Sequence, residues 1–150
     1  MTNMDRLKPA KVLLVEDNED DVVLTLEALE DSKVSMQVHV VSDGISALAF
    51  LRREGVYTDK PRPDLILLDL NLPLMDGREI LKKIKEDPNL TDIPVVILTT
   101  SDDEEDILKA YKLHANCYIS KPVDFSRFTE IIKQIDGFWL QLVKLPRREE

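Results

Sequence analysis

The stretch Leu65-Ile66-Leu67-Leu68 sets four large apolar residues in a row, and Asp69 closes it. A strand with one wet face alternates apolar and polar side chains. An unbroken apolar run suits a strand covered on both faces, as in a parallel sheet with helices on either side. Open α/β sheets hold their ligands at the C-terminal ends of such strands, so Asp69 stands where a nucleophile or metal ligand belongs. Pro73 and Gly77 keep the next stretch, Leu70-Asn71-Leu72-Pro73-Leu74-Met75-Asp76-Gly77, as a loop. A lone Asp in such a place more often ends a strand or caps a helix. Other strand ends decide between the readings.

Short apolar runs alternate with helical patterns along the chain. Val12 to Val15 reads as a first strand, followed by a helix with Val22, Leu26 and Leu29 on one face. Val38 to Val41 reads as the second strand, with a helix carrying Ile45, Leu48, Ala49 and Leu51 behind it. A loop from Gly55 to Pro63 leads to the Asp69 strand. The next helix starts at about Asp76, carries Ile80, Leu81 and Ile84, and ends before Pro88. Val95 to Leu98 is the fourth strand, and Ser101 with Glu104 forms a capping box for a helix carrying Ile107, Leu108 and Tyr111. Cys117 to Ile119 is the fifth strand, and Asp124 caps the last helix. Five β-then-α units predict an α/β fold: a doubly wound, five-stranded parallel sheet in the flavodoxin-like order 2-1-3-4-5, with five helices, the last extended. One hundred and fifty residues fit one domain with a core of its own.

Composition excludes several functions. The net charge of −9 argues against a nucleic-acid surface, which needs clustered Lys and Arg. Cys117 is the only cysteine, so no internal disulfide or cysteine-rich zinc site can form. No apolar stretch approaches the ~20 residues of a membrane span, and the N-terminus has no signal-peptide core, which predicts a cytoplasmic protein. No Gly-rich nucleotide-binding motif occurs.

The polar residues that end the strands converge at one edge of the predicted sheet. Strand one ends in Glu16-Asp17, strand three in Asp69, strand four in Thr99-Thr100, and strand five near Lys121-Pro122. Three carboxylates in one pocket repel unless a cation joins them. Hard oxygen ligands suit Mg²⁺, which takes one or two carboxylates and keeps waters that phosphate oxygens can replace. A Lys ammonium and a Thr hydroxyl would meet further phosphoryl oxygens. Such a site places a phosphoryl group on an Asp, a known form of covalent chemistry. Each residue alone also has a plainer reading: Glu16 and Asp17 as acids favoured at a helix N-terminus, Lys121 as a solvated surface lysine, Tyr118 as a half-buried strand aromatic.

Together, Val15-Glu16-Asp17-Asn18, the segment Leu67 to Gly77, Leu98-Thr99-Thr100-Ser101 and Ser120-Lys121-Pro122 resemble the receiver domain of two-component response regulators, the CheY-like family. The resemblance covers about residues 10–135. It divides the chain into an N-terminal tail at 1–9, the receiver at 10–135, and an extension of the last helix with a C-terminal tail at 136–150. It implies that Asp69 accepts a phosphoryl group from a sensor histidine kinase. Glu16, Asp17, Asp69 and the backbone carbonyl of Asn71 would then hold Mg²⁺, with Mn²⁺ able to substitute. It also implies that Thr99, Thr100, Lys121 and Tyr118 convert phosphorylation into a surface change read by a downstream target. The chain would thus be a phosphoacceptor rather than an enzyme with a dedicated catalytic domain. An Asp-nucleophile phosphohydrolase of the haloacid dehalogenase type is the competing class. That family wants a second Asp two residues after the nucleophile, where this chain has Asn71, which cannot supply a titrating proton.

Beyond Ile135 the apolar pattern continues. Phe125, Phe128, Ile132, Ile135, Trp139 and Leu142 recur at helical spacing. This exceeds what one receiver core needs, so Phe138, Trp139, Leu142 and Val143 are expected to form a homodimer or partner surface. The tail and the Gly55–Pro63 loop resemble the small regulators paired with cyanobacterial and bacterial phytochrome kinases. A phytochrome-type kinase is therefore the expected partner, with another sensor kinase as the alternative.

Overall fold

The computed structural model describes residues 9–30, 36–99, 115, 117–121, 126 and 130. In chain order these form β1 (Ala10–Val15), α1 (Glu19–Glu30), β2 (Met36–Val41), α2 (Gly44–Arg52), a 3₁₀ turn (Gly55–Tyr57), β3 (Leu65–Asp69), α3 (Gly77–Glu86), β4 (Val95–Thr99) and β5 (Cys117–Ser120). Every ladder is parallel and the strand order is β2-β1-β3-β4-β5. That is the predicted order.

The expectation of five helices is corrected. Among the described residues there are three α-helices and a 3₁₀ turn. The segment opened by Ser101 lies outside the described residues, and so does the one opened by Asp124 apart from Ser126 and Glu130.

The side chains of each strand alternate between two cores. Val12, Leu14, Leu65, Leu67, Val96, Leu98 and Ile119 pack with Ala28 and Leu29 of α1 on one face. Leu13, Val15, Ile66, Leu68, Val95 and Ile97 pack with Leu48, Phe50 and Leu51 of α2 and Ile80, Leu81 and Ile84 of α3 on the other. This covering on both sides is why β3 needs no polar alternation. Two helical faces differ in detail from the sequence reading. In α1 the buried line is Thr25, Ala28 and Leu29, with Val22 and Leu26 partly buried beside it, because small residues let the helix approach the sheet. In α2 Ile45 is 54% exposed, and Ala47 and Phe50 take the inward positions.

Short polar residues start each helix. The Asn18 side chain accepts from the Asp21 N–H at 3.0 Å, Asp43 from the Ser46 N–H at 2.7 Å, and Asp76 from the Arg78 N–H at 2.8 Å. α2 stops at Arg53, whose φ of 57° is left-handed and turns its N–H back onto the Ala49 and Phe50 carbonyls. No helix among the described residues is long and apolar enough to cross a membrane.

Candidate functional site

Register brings the polar strand ends together. Val15 pairs with Leu68, so Glu16 follows β1 level with Asp69 at the end of β3. Asp69 pairs with Leu98, and Thr99 with Ser120, which puts Thr99 one position further along β4 and Lys121 just beyond β5. Glu16 and Asp69 are both buried, at 1% and 3% exposure. Carboxylate burial this deep requires partners.

The main partner is Lys121. Its Nζ donates to Glu16 Oε1 at 2.8 Å, Asp21 Oδ2 at 3.0 Å and Asp69 Oδ2 at 3.4 Å. The backbone supplies two more donors: the Asn71 N–H to Asp69 Oδ1 and the Asn18 N–H to Glu16 Oε2, each at 3.2 Å. Asp69 is thus oriented at both oxygens. Asp17 lies exposed beside this pair, and Glu16, Asp17 and Asp69 each offer a carboxylate oxygen within 4.8 Å of the others. Three hard anionic oxygens with an exposed side fit Mg²⁺ or Mn²⁺, which bind few protein ligands and keep waters.

Lys121 alone leaves Glu16 hard to ionise. Burial, followed by the adjoining Asp69 carboxylate, pushes the Glu16 carboxyl up to about 7, against the lowering effect of Lys121 and the Asn18 N–H. Burial works against the Lys121 ammonium too, but the Glu16 and Asp21 hydrogen bonds and the Asp69 charge outweigh it and raise the group above its usual range. A cation bound by Glu16 must displace its proton. Mg²⁺ affinity is therefore expected to fall about tenfold per pH unit below about pH 7 and to level off above it. Calorimetric titration in buffers of different ionisation enthalpy checks this, with proton release at pH 6 and none at pH 9.

The loop after Asp69 is tightly anchored. The Gly77 N–H donates to the Leu70 carbonyl at 2.9 Å, and a Cβ on Gly77 would run into the Asp69 and Leu70 backbone. A Cβ on Gly44 would meet Met75 Cβ and Ile80 Cδ1 at 2.6 Å, so α2 locks the same loop from its other side. Between them, Leu74 adopts φ 69° while the Met75 N–H bonds the Pro73 carbonyl at 2.7 Å, a strained γ-turn.

Of the residues expected from sequence, Glu16, Asp17, Asp69 and Lys121 converge, and the Asn71 backbone contacts Asp69 through its N–H. Tyr118 pairs with Ile97 and packs, partly buried, against the core shared by α2 and α3. Thr100, Phe138, Trp139, Leu142 and Val143 lie outside the described residues. Sequence reading missed Asp21. The available signal was its spacing: Asn18 as N-cap places Asp21 at the third helical position, on the turn that faces the carboxylates.

This parallel sheet, with a buried Asp at the end of its central strand facing acids and a lysine, defines a receiver fold. The chain belongs to the response regulator receiver domain family, whose model matches residues 12–133. It is 47% identical over 143 residues to response regulator Rcp1 of Synechocystis sp., covering 95% of this chain and 97% of the relative. Among solved structures, the phosphorylated cyanobacterial phytochrome response regulator RcpA is similar at 53% identity and TM-score 0.75, covering 89% of this chain and 95% of that one. The Mn²⁺-bound form of Rcp1 matches at 46% identity and TM-score 0.75, with coverages of 90% and 97%. A metal-bound relative of this similarity agrees with the divalent-cation reading of the acidic cluster.

Proposed function

We propose that this chain is a phosphorylation-dependent signalling module that accepts a phosphoryl group on Asp69 from a sensor histidine kinase. The observation that carries the proposal is the buried Lys121 ammonium bridging Glu16 and Asp69, with Asp17 beside them. An Asp69 oxygen attacks phosphorus and the phosphorus–nitrogen bond of the donor breaks, the imidazole leaving with a proton. Mg²⁺ held by Glu16, Asp17, Asp69 and the Asn71 carbonyl would neutralise the charge on the phosphoryl oxygens. Positioning and charge compensation supply most of the acceleration in such a transfer. Thr99 and Thr100 then meet phosphoryl oxygens, Lys121 pairs with one of them, and Tyr118 follows, which alters the surface that a target reads.

The partner kinase is proposed to be of phytochrome type, on the strength of similarity to RcpA. The working unit is residues 10–135, with 1–9 and 136–150 as tails, in the cytoplasm. Incubation with acetyl phosphate should add one acid-stable, base-labile phosphoryl group per chain when Mg²⁺ is present. Unchanged labelling in excess chelator would remove the metal from this reading.

The residues beyond 135 are proposed to pair two copies of the chain. Phe138, Trp139, Leu142 and Val143 each contribute about 1.5–3 kcal/mol if fully buried, enough together to offset much of the cost of association. A self-complementary apolar patch is most often buried about a two-fold axis. Truncation after Ile135 should leave a folded monomer by sedimentation. A wild-type chain that stays monomeric at tens of micromolar, with and without beryllofluoride, leaves the tail to a different partner or to packing over its own domain.

A further inference from the structure

We propose that Asp21 is a positioning residue for this site: it holds the Lys121 ammonium toward α1 and so lowers the affinity of the site for a phosphoryl group. The inference rests on the phosphoacceptor reading above. An ammonium has three hydrogens to donate, and all three are engaged, to Glu16 at 2.8 Å, Asp21 at 3.0 Å and Asp69 at 3.4 Å. The longest of these bonds goes to the acceptor itself. When a cation engages Glu16, Asp17 and Asp69, Asp21 is the one carboxylate of the three on Lys121 that stands outside the cation cluster.

Asp21 is held in place for this task. It occupies the third position of α1, where its N–H is tied to the Asn18 side chain, and the Asn18 N–H is in turn tied to Glu16 Oε2. An acid at this position commonly reaches back to the N-cap N–H, but here that N–H is already given to Glu16. The Asp21 carboxylate bonds Lys121 instead. To face a phosphoryl oxygen, Lys121 must leave Asp21 or share its charge with it, and charge-assisted bonds of this kind are strong. The Asp21 side chain is 25% exposed, which softens this pull without removing it.

The test is the affinity of the Mg²⁺-loaded protein for beryllofluoride, a mimic of the acyl phosphate. Asp21→Asn should bind it about tenfold more tightly than wild type, an effect on the scale of one charge-assisted bond. Asp20→Asn changes the net charge equally, yet Asp20 is not among the carboxylates that Lys121 contacts. That variant should stay within about twofold of wild type on a surface-charge argument, and Asp21→Glu should return to the wild-type value. Equal tightening in Asp20→Asn and Asp21→Asn reduces the effect to bulk charge and overturns the proposal. Weaker binding in Asp21→Asn overturns it in the opposite sense, with Asp21 then aiming Lys121 at the phosphoryl group. If Asp21→Asn does not fold, the wild-type Asp21 carboxylate ¹³C resonance decides: it should shift on beryllofluoride binding while that of Asp20 stays. A fixed Asp21 signal refutes the release of Lys121. A wild-type protein that binds no beryllofluoride fails the phosphoacceptor reading itself and takes this inference with it, whereas normal wild-type binding with an unshifted Asp21→Asn fails only the inference.

Discussion

Asp69→Asn is expected to abolish labelling by acetyl phosphate, because an amide is no nucleophile at neutral pH. The same variant also changes how stability depends on pH. The Asp69 carboxylate is one cause of the raised Glu16 value of about 7, after burial itself. A carboxyl that titrates higher in the folded state than in the unfolded one favours folding most at low pH. Its contribution falls as pH rises from about 4.5 to about 7 and is flat beyond. Removing the neighbouring charge leaves Lys121 to Glu16 and Asp21 and should shrink that fall. Metal-free Asp69→Asn should therefore melt above metal-free wild type at pH 8, lose less stability between pH 5 and pH 8, and gain less from Mg²⁺. Full labelling of the variant would move the acceptor to another residue. A steeper pH dependence would show that Asp69 and Glu16 do not share the buried site.

Gly77→Ala is expected to be the most damaging single methyl in the described residues. Its Cβ would lie 2.7 Å from Leu70 Cα and 3.1 Å from the Asp69 carbonyl carbon, and closer still to the Asp69 carbonyl oxygen. All three are backbone atoms, so no side chain can swing aside. The first turn of α3 must lift, carrying Ile80, Leu81 and Ile84, which are fully buried. Overpacking of this kind costs about 3 kcal/mol, which lowers Tm by about 6–12 °C for a chain of this size. Because the atoms displaced belong to Asp69, phosphorylation should slow at least about tenfold even where the variant is folded. Gly55→Ala is the control. Its φ is +59° but nothing lies within 4 Å of the new methyl, so the cost is the backbone term of about 1 kcal/mol and labelling is unchanged. Similar melting points for the two variants would remove the close approach of α3 to the acceptor strand from the account of the site.

What the sequence determined by itself is local in origin. Leu65 to Leu68 could not lie in a half-wet strand, Asp69 had to follow them, and Pro73 with Gly77 had to turn the chain. β-then-α alternation with short links called for a doubly wound parallel sheet, and its crossovers have a single favoured hand. Glu16, Asp17, Asp69 and Lys121 were legible because strand ends in such a sheet share one edge. Periodicity was less faithful on the helices. It placed Ile45 inward because it could not see Met75 and Ile80 against Gly44, and it counted five helices where three are found among the described residues. Only tertiary structure decided how charge is shared within the site. Asp21 and Lys121 are 100 positions apart, and their 3.0 Å contact depends on the start of α1 and the residue after β5 meeting at the carboxyl edge of the sheet. The same holds for Gly77, whose need for a bare Cα arises from a backbone seven residues earlier folding back under α3. Sequence patterns report what each segment needs to bury. The distances at which charges meet are set by packing between segments, and no local pattern records them.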